Sequence, residues 1–186
     1  MVRDSNNLVA RSMGYKHMLF YKKAVTIYDL TFLFCTRYID KRDRTYDQMI
    51  QAARSGKQNI VEGYVDGATS VEMCIKLLNV ARGSLMELLE DYEDYIRTRN
   101  LKRWENGSDE ERAMIRLDKE NNDSDTYLKI AQTRNDEAIA NMAIIIIKSA
   151  EKLLYRYIQN RGEHFKRNGG FRERLTRERL KERNVR

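Results

Sequence analysis

From Phe20 onward, apolar and small residues recur at alternating steps of four and three. Phe20, Ala24, Ile27, Thr31, Phe34 and Tyr38 share one face, which predicts a first helix over residues 15–39. The rhythm resumes at Met49, Ala53, Gly56, Ile60 and Gly63, predicting a second helix over residues 43–65. The capping-box pair Thr45 and Gln48 opens it, and Asp66 with Gly67 closes it. A third seam runs through Cys74, Leu78, Ala81, Leu85, Leu88, Tyr92 and Ile96. It is opened by the pair Thr69 and Glu72 and ends near residue 99. Residues 100–123 lose the period, so they are expected to form an exposed polar connection, with Ser108 and Glu111 capping at most a short helix. The last seam starts near Ser124 and carries Leu128, Ala131, Ala138, Met142, Ile145, Ser149 and Leu153 to about residue 159. That helix is long enough to contain a break, and Gly162 is its expected stop.

Four seams joined mostly by short connections predict an all-α fold, an antiparallel up-down-up-down four-helix bundle with helices crossing at about 20°. The expected division is an N-terminal extension over 1–14, the bundle over 15–161 with a polar insertion at about 100–123, and a basic C-terminal tail over 162–186. A glycine inside a helix costs roughly 1 kcal/mol relative to alanine. Gly56, Gly63 and Gly83 therefore predict close approach of a neighbouring backbone. Arg54, Asn59, Glu62 and Arg82 are expected to form a structural polar cluster that sets the register of the second and third helices. Four consecutive isoleucines, Ile144, Ile145, Ile146 and Ile147, place apolar side chains nearly all round one turn. That predicts an oligomer interface and hence a homo-oligomer.

Composition reinforces the helical reading, because the chain has no proline at all. Cys35 and Cys74 lie on apolar stripes without a CxxC pattern, so they are expected to be core thiols of a cytoplasmic protein. The N-terminus has no continuous apolar stretch of the leader type, and the longest apolar run, residues 142–147, is too short to span a membrane. No P-loop, GxGxxG, HExxH or GxSxG is present. Neither His17 nor His164 follows a Glu by three residues, so the carboxylates Glu87, Glu90, Asp91, Glu93 and Asp94 read as a solvated acidic face rather than a metal centre. The expectation is a protein without enzymatic activity, metal or cofactor.

The net charge of +7 is unevenly spread. Residues 1–60 hold 11 Lys/Arg against 5 Asp/Glu, residues 61–159 hold 14 against 19, and residues 160–186 hold 10 against 4. The candidate nucleic-acid-binding residues therefore fall near the two ends of the chain. Arg37, Lys41, Arg42 and Arg44 cluster at the first turn, interleaved with Tyr38 and Tyr46. Arg172, Arg174, Arg177, Arg179, Lys181 and Arg183 form an arginine-rich tail diluted by Glu173, Glu178 and Glu182. The alternative is a protein-interaction scaffold whose tail docks on an acidic protein surface.

Two blocks, QAARSGKQNIVEGY at residues 51–64 and NVARGSLMELLEDY at residues 79–92, resemble the signature of a bacterial-type four-helix-bundle family. Its members are encoded in intervening sequences of large-subunit ribosomal RNA genes. The likeness covers roughly residues 20–158. Related bundles include the accessory variability determinant proteins of diversity-generating retroelements, which form pentamers that bind reverse transcriptase and nucleic acid. The segment from Gly169 resembles the C-terminal suffix found after some of these bundles. The resemblance implies the bundle fold, a pentameric assembly, and RNA, DNA or a reverse transcriptase as partner.

Overall fold

The computed structural model describes residues 14–183, and within them the chain is all-helical with no strand. A 3-10 turn, Gly14–His17, precedes α1 (Leu19–Tyr38), α2 (Arg44–Asp66), α3 (Val71–Thr98), α4 (Asp109–Glu120), α5 (Ser124–Gln132), α6 (Asp136–Asn168) and α7 (Phe171–Arg183). Four long helices close a ring: α1 packs on α2 and α6, and α3 packs on the same two. The core fills that ring with Ile27, Leu30 and Phe34 of α1, Met49 and Ile60 of α2, Leu78, Leu85 and Leu88 of α3, and Ile139 and Leu154 of α6. Tyr92 is fully buried, and its hydroxyl donates to Thr31 Oγ1 at 3.1 Å, so its polar end is satisfied inside the core.

The helix starts differ from the capping boxes expected at Thr45 and Thr69. Asp43 caps α2 by accepting from the Thr45 N–H, and Ser70 caps α3 by accepting from the Met73 N–H. In each case a better-placed acceptor takes over; at α2 it is a charged carboxylate beside the positive end of the helix dipole. Ser108 does cap α4 as expected, accepting from the Glu111 N–H.

The small-residue face of α2 is where it meets α3. A Cβ on Gly56 would stand 2.9 Å from Leu85 Cδ2, and one on Gly63 would stand 3.3 Å from the Cys74 carbonyl oxygen. Gly83 does not belong to this contact, since a Cβ there meets nothing within 4 Å. These neighbourhoods predict opposite signs for one substitution. Gly56→Ala is expected to lower stability by about 1–3 kcal/mol, because the fully buried Leu85 must move. Gly83→Ala is expected to raise it by about 0.4–1 kcal/mol by restricting the unfolded chain. Urea unfolding midpoints of the two variants check both signs.

Two expectations about the second half of the chain are corrected. Ile144, Ile146 and Ile147 are 0% exposed and Ile145 is 9% exposed within a single chain, so the run is not an exposed oligomer interface. Two sides of α6 face α1 and α3, and the segment expected to be an exposed connection covers a further side. Asn141, buried in the turn before the isoleucines, ties that segment down. Its amide donates to the Lys102 and Glu137 carbonyls at 2.9 Å, and its Oδ1 accepts from the Trp104 N–H at 2.9 Å and from Arg103 Nη1 at 2.7 Å. From α4, Met114 and Asp118 are buried, and the Lys23 ammonium of α1 donates to both the carboxylate and the carbonyl of Asp118.

The expected break in the last helix occurs at residues 133–135, where Asn135 caps α6 by accepting from the Ala138 N–H. Gly162, by contrast, does not stop α6. The helix continues to Asn168 and ends at Gly169, whose φ of 69° is open to glycine without strain and whose N–H donates to the Phe165 carbonyl. A second short turn follows, in which the Gly170 N–H donates to the Glu173 carboxylate at 2.8 Å and α7 begins.

Candidate nucleic-acid interface

Contacts between helix ends fix where the two basic segments lie. At one end, the Tyr38 hydroxyl donates to the Arg134 carbonyl and the Tyr95 hydroxyl to Asp136, so the C-termini of α1 and α3 meet the start of α6. At the other end, Arg161 donates to the Gly67 carbonyl and the rings of Phe20 and Tyr157 lie 5.1 Å apart. The basic turn after α1 and the arm formed by late α6 and α7 therefore stand at opposite ends. The 23 residues of α2 put them about 35 Å apart at 1.5 Å per residue. A single compact site built from both is excluded.

At the α1–α2 turn the candidates divide. Arg37 is committed to structure: its guanidinium donates to the Ala131 and Gln132 carbonyls at 3.2 Å, satisfying the C-terminus of α5. Arg42 pairs with Asp40 at 3.1 Å, and that hydrogen bond holds the Asp40 carboxyl below its ordinary range. Lys41 and Arg44 are exposed. Tyr38 packs against Phe34 and spends its hydroxyl on Arg134, and Tyr46 is half-buried. The sequence reading missed Arg99, which reaches this end from α3. Its guanidinium lies 3.9 Å from the Tyr95 ring centroid and helps to lower the Asp43 carboxyl, whose main stabilisation is the Thr45 backbone hydrogen bond. Only the direction in which α3 runs reveals this neighbour.

The four-residue polar cluster does not form. Arg54 and Glu62 are exposed, Asn59 donates to Ser55 on its own helix, and Arg82 reaches across to Glu151 of α6 beside the Tyr155 ring. Arg54 stands about 200° round α2 from the contact residue Gly56, which takes it away from α3. The polar link between α2 and α3 is a hydroxyl pair instead, Ser55 with Ser84 at 2.9 Å.

That hydroxyl pair lies in a groove of about 490 Å³ lined also by Gln48, Gln51, Glu87 and Asp91. Burial raises the Asp91 carboxyl, and the nearby charges of Asp94 and Glu87 raise it further. Such a surface repels phosphate, so this side of α3 is unsuited to a nucleic acid. Among the described residues no group of His, Cys, Asp and Glu could hold a metal ion, and no helix is long and apolar enough to cross a membrane. Both thiols are buried and unpaired, and burial pushes Cys35 up to about 12 and raises Cys74 as well.

The arm carries the densest basic sequence. Beyond Arg161, α6 continues for about 10 Å before the turn at Gly169. On α7, Arg177, Arg179 and Arg183 are exposed, and Arg177 Nε donates to the Glu173 carbonyl. The side chains of Arg172, Arg174 and Lys181 lie outside the described residues. No family model, curated protein or solved structure matches the chain.

Proposed function

We propose that this chain is a non-enzymatic accessory protein that binds RNA through phosphate contacts. The observation that carries this reading is the arm of late α6 and α7, in which an arginine-rich helix extends from the packed core with Arg177, Arg179 and Arg183 in solvent. The exposed Lys41, Arg44 and Arg99 at the opposite end supply a second anchoring point. Phosphate neutralisation gives affinity with little base readout, which suits an accessory factor.

The ring α1–α2–α3–α6 is read as an antiparallel up-down-up-down bundle. The alternation of helix ends described by the Tyr38, Tyr95, Arg161 and Phe20 contacts supports it. A homo-oligomer, pentameric by the family resemblance, and a reverse transcriptase partner rest on that resemblance alone, since the isoleucine run is spent inside one chain.

The test is a titration of the full chain against single-stranded RNA over about 50 to 200 mM salt. Each phosphate contact contributes about 0.7 to the slope of log K against log salt. Replacing Arg177, Arg179 and Arg183 together by glutamine is expected to reduce that slope by about 2 if each makes one contact. Absence of any salt-dependent binding by the unsubstituted chain would overturn the reading.

A further inference from the structure

Helix α1 carries a second aromatic stripe beside its core seam, running from the core margin at Tyr21 and Tyr28 out to solvent at Phe32. Tyr21, Val25, Tyr28 and Phe32 follow steps of four, three and four, and all are half-buried or exposed. Phe32 is 49% exposed, and its ring lies 6.5 Å from that of Tyr28 with 29° between the planes. The Lys57 ammonium of α2 stands 4.0 Å from the Tyr28 ring centroid, and Arg54 is exposed one turn before it. On the other side of the stripe, Tyr28, Phe32, Leu33 and Leu128 line a groove of about 400 Å³ between α1 and α5. Asp29, the acid within that groove, accepts a hydrogen bond from Ser124.

Core packing accounts for Tyr21 and Tyr28, which lean on the margin of the core, but not for Phe32, which stands outside it. The occupant follows from charge and geometry. A cation seated on an aromatic ring beside a largely apolar groove, whose polar lining is Asp29, Thr36 and Gln132, suits a molecule that alternates planar rings with anions. The α1–α2 seam also runs the length of the molecule between its two basic ends, whereas the outer side of α3 is acidic. We infer that the α1–α2 seam is a track for single-stranded RNA. An unpaired base stacks on Phe32 in the groove beside Leu128, Lys57 and Arg54 hold the adjoining phosphates, and the strand continues toward Lys41 and Arg44. This rests on the RNA-binding reading above and adds to it a stacking site away from both charged ends.

Phe32 is exposed, so its replacement leaves the core intact, and circular dichroism of each variant verifies that. With the full chain, Phe32→Ala is expected to weaken single-stranded RNA binding roughly 5- to 150-fold, as loss of one stacked base does, with no change in the salt slope. Lys57→Gln is expected to reduce the salt slope by about 0.7. Phe32→Trp is expected to keep affinity and to lose indole fluorescence on adding single-stranded but not double-stranded RNA, because paired bases offer no free face. If the unsubstituted chain binds RNA while Phe32→Ala binds equally well and Phe32→Trp is not quenched, the track is overturned and the charged ends remain the site. If the unsubstituted chain binds no RNA, the track and the RNA reading fall together.

Discussion

Lys23→Met is expected to destabilise the protein by about 3–5 kcal/mol, although methionine suits the apolar surroundings better than lysine does. Lys23 and Asp118 are 5% and 7% exposed, and the ammonium is the cation paired with that carboxylate. Removing it strands a carboxylate beneath α4, where the Tyr127 hydroxyl at 3.5 Å is too distant to compensate. The penalty comes from the unpaired charge and not from lost attraction, so the double variant Lys23→Met with Asp118→Leu should recover most of the loss. The four stabilities from urea unfolding form a double-mutant cycle, and a coupling near zero would refute the pairing. The cost should also appear locally. Because this pair ties α4 to α1, the single variant should loosen the segment over α6 first, and Trp104 in that segment reports it by fluorescence.

That pair also marks the limit of what the sequence alone conveys. The four long helices were legible because each repeats its apolar positions many times. Gly56 and Gly63 were legible because a helical glycine is costly unless a neighbour needs the room, an expectation that failed at Gly83, where nothing lies close. The segment 100–123 looked exposed because its apolar anchors, Leu101, Trp104, Met114 and Leu117, are too few to make a long seam, and its polar ties, Asn141 on α6 and the Lys23 and Asp118 pair, have no period. The register cluster failed for a related reason. Residue type places Arg54 and Glu62 near a helix contact, but only their angular positions on α2 send them to solvent. The basic ends were visible as composition, whereas their separation follows from the course of α1, α2 and α6. On α1, the core seam accounts for the helix by itself, so the aromatic stripe beside it carries no separate signal in the sequence.

Ile147→Ala is expected to cost about 2–5 kcal/mol, the range for emptying a well-packed aliphatic site. The residue is 0% exposed between helices whose backbones are held by long ladders, so little collapse can fill the space. The measurement also separates a core role from an interface role. For a core position the urea midpoint of the variant falls by the same amount at low and high protein concentration. For an interface position it varies with concentration, because association contributes to stability by mass action. Ile145, 9% exposed at the margin of the packing, should lose less on the same truncation, since the nearby chain can relax into the gap. Equal losses at both positions, or a midpoint that tracks protein concentration, would return the isoleucine run to an intersubunit role. In that case the cover supplied by residues 101–120 would have to open in the assembled protein. The hydrogen bonds of Asn141 would be the first to break, so Asn141→Ala would then strengthen association, whereas a purely intrachain cover predicts that it only destabilises the fold.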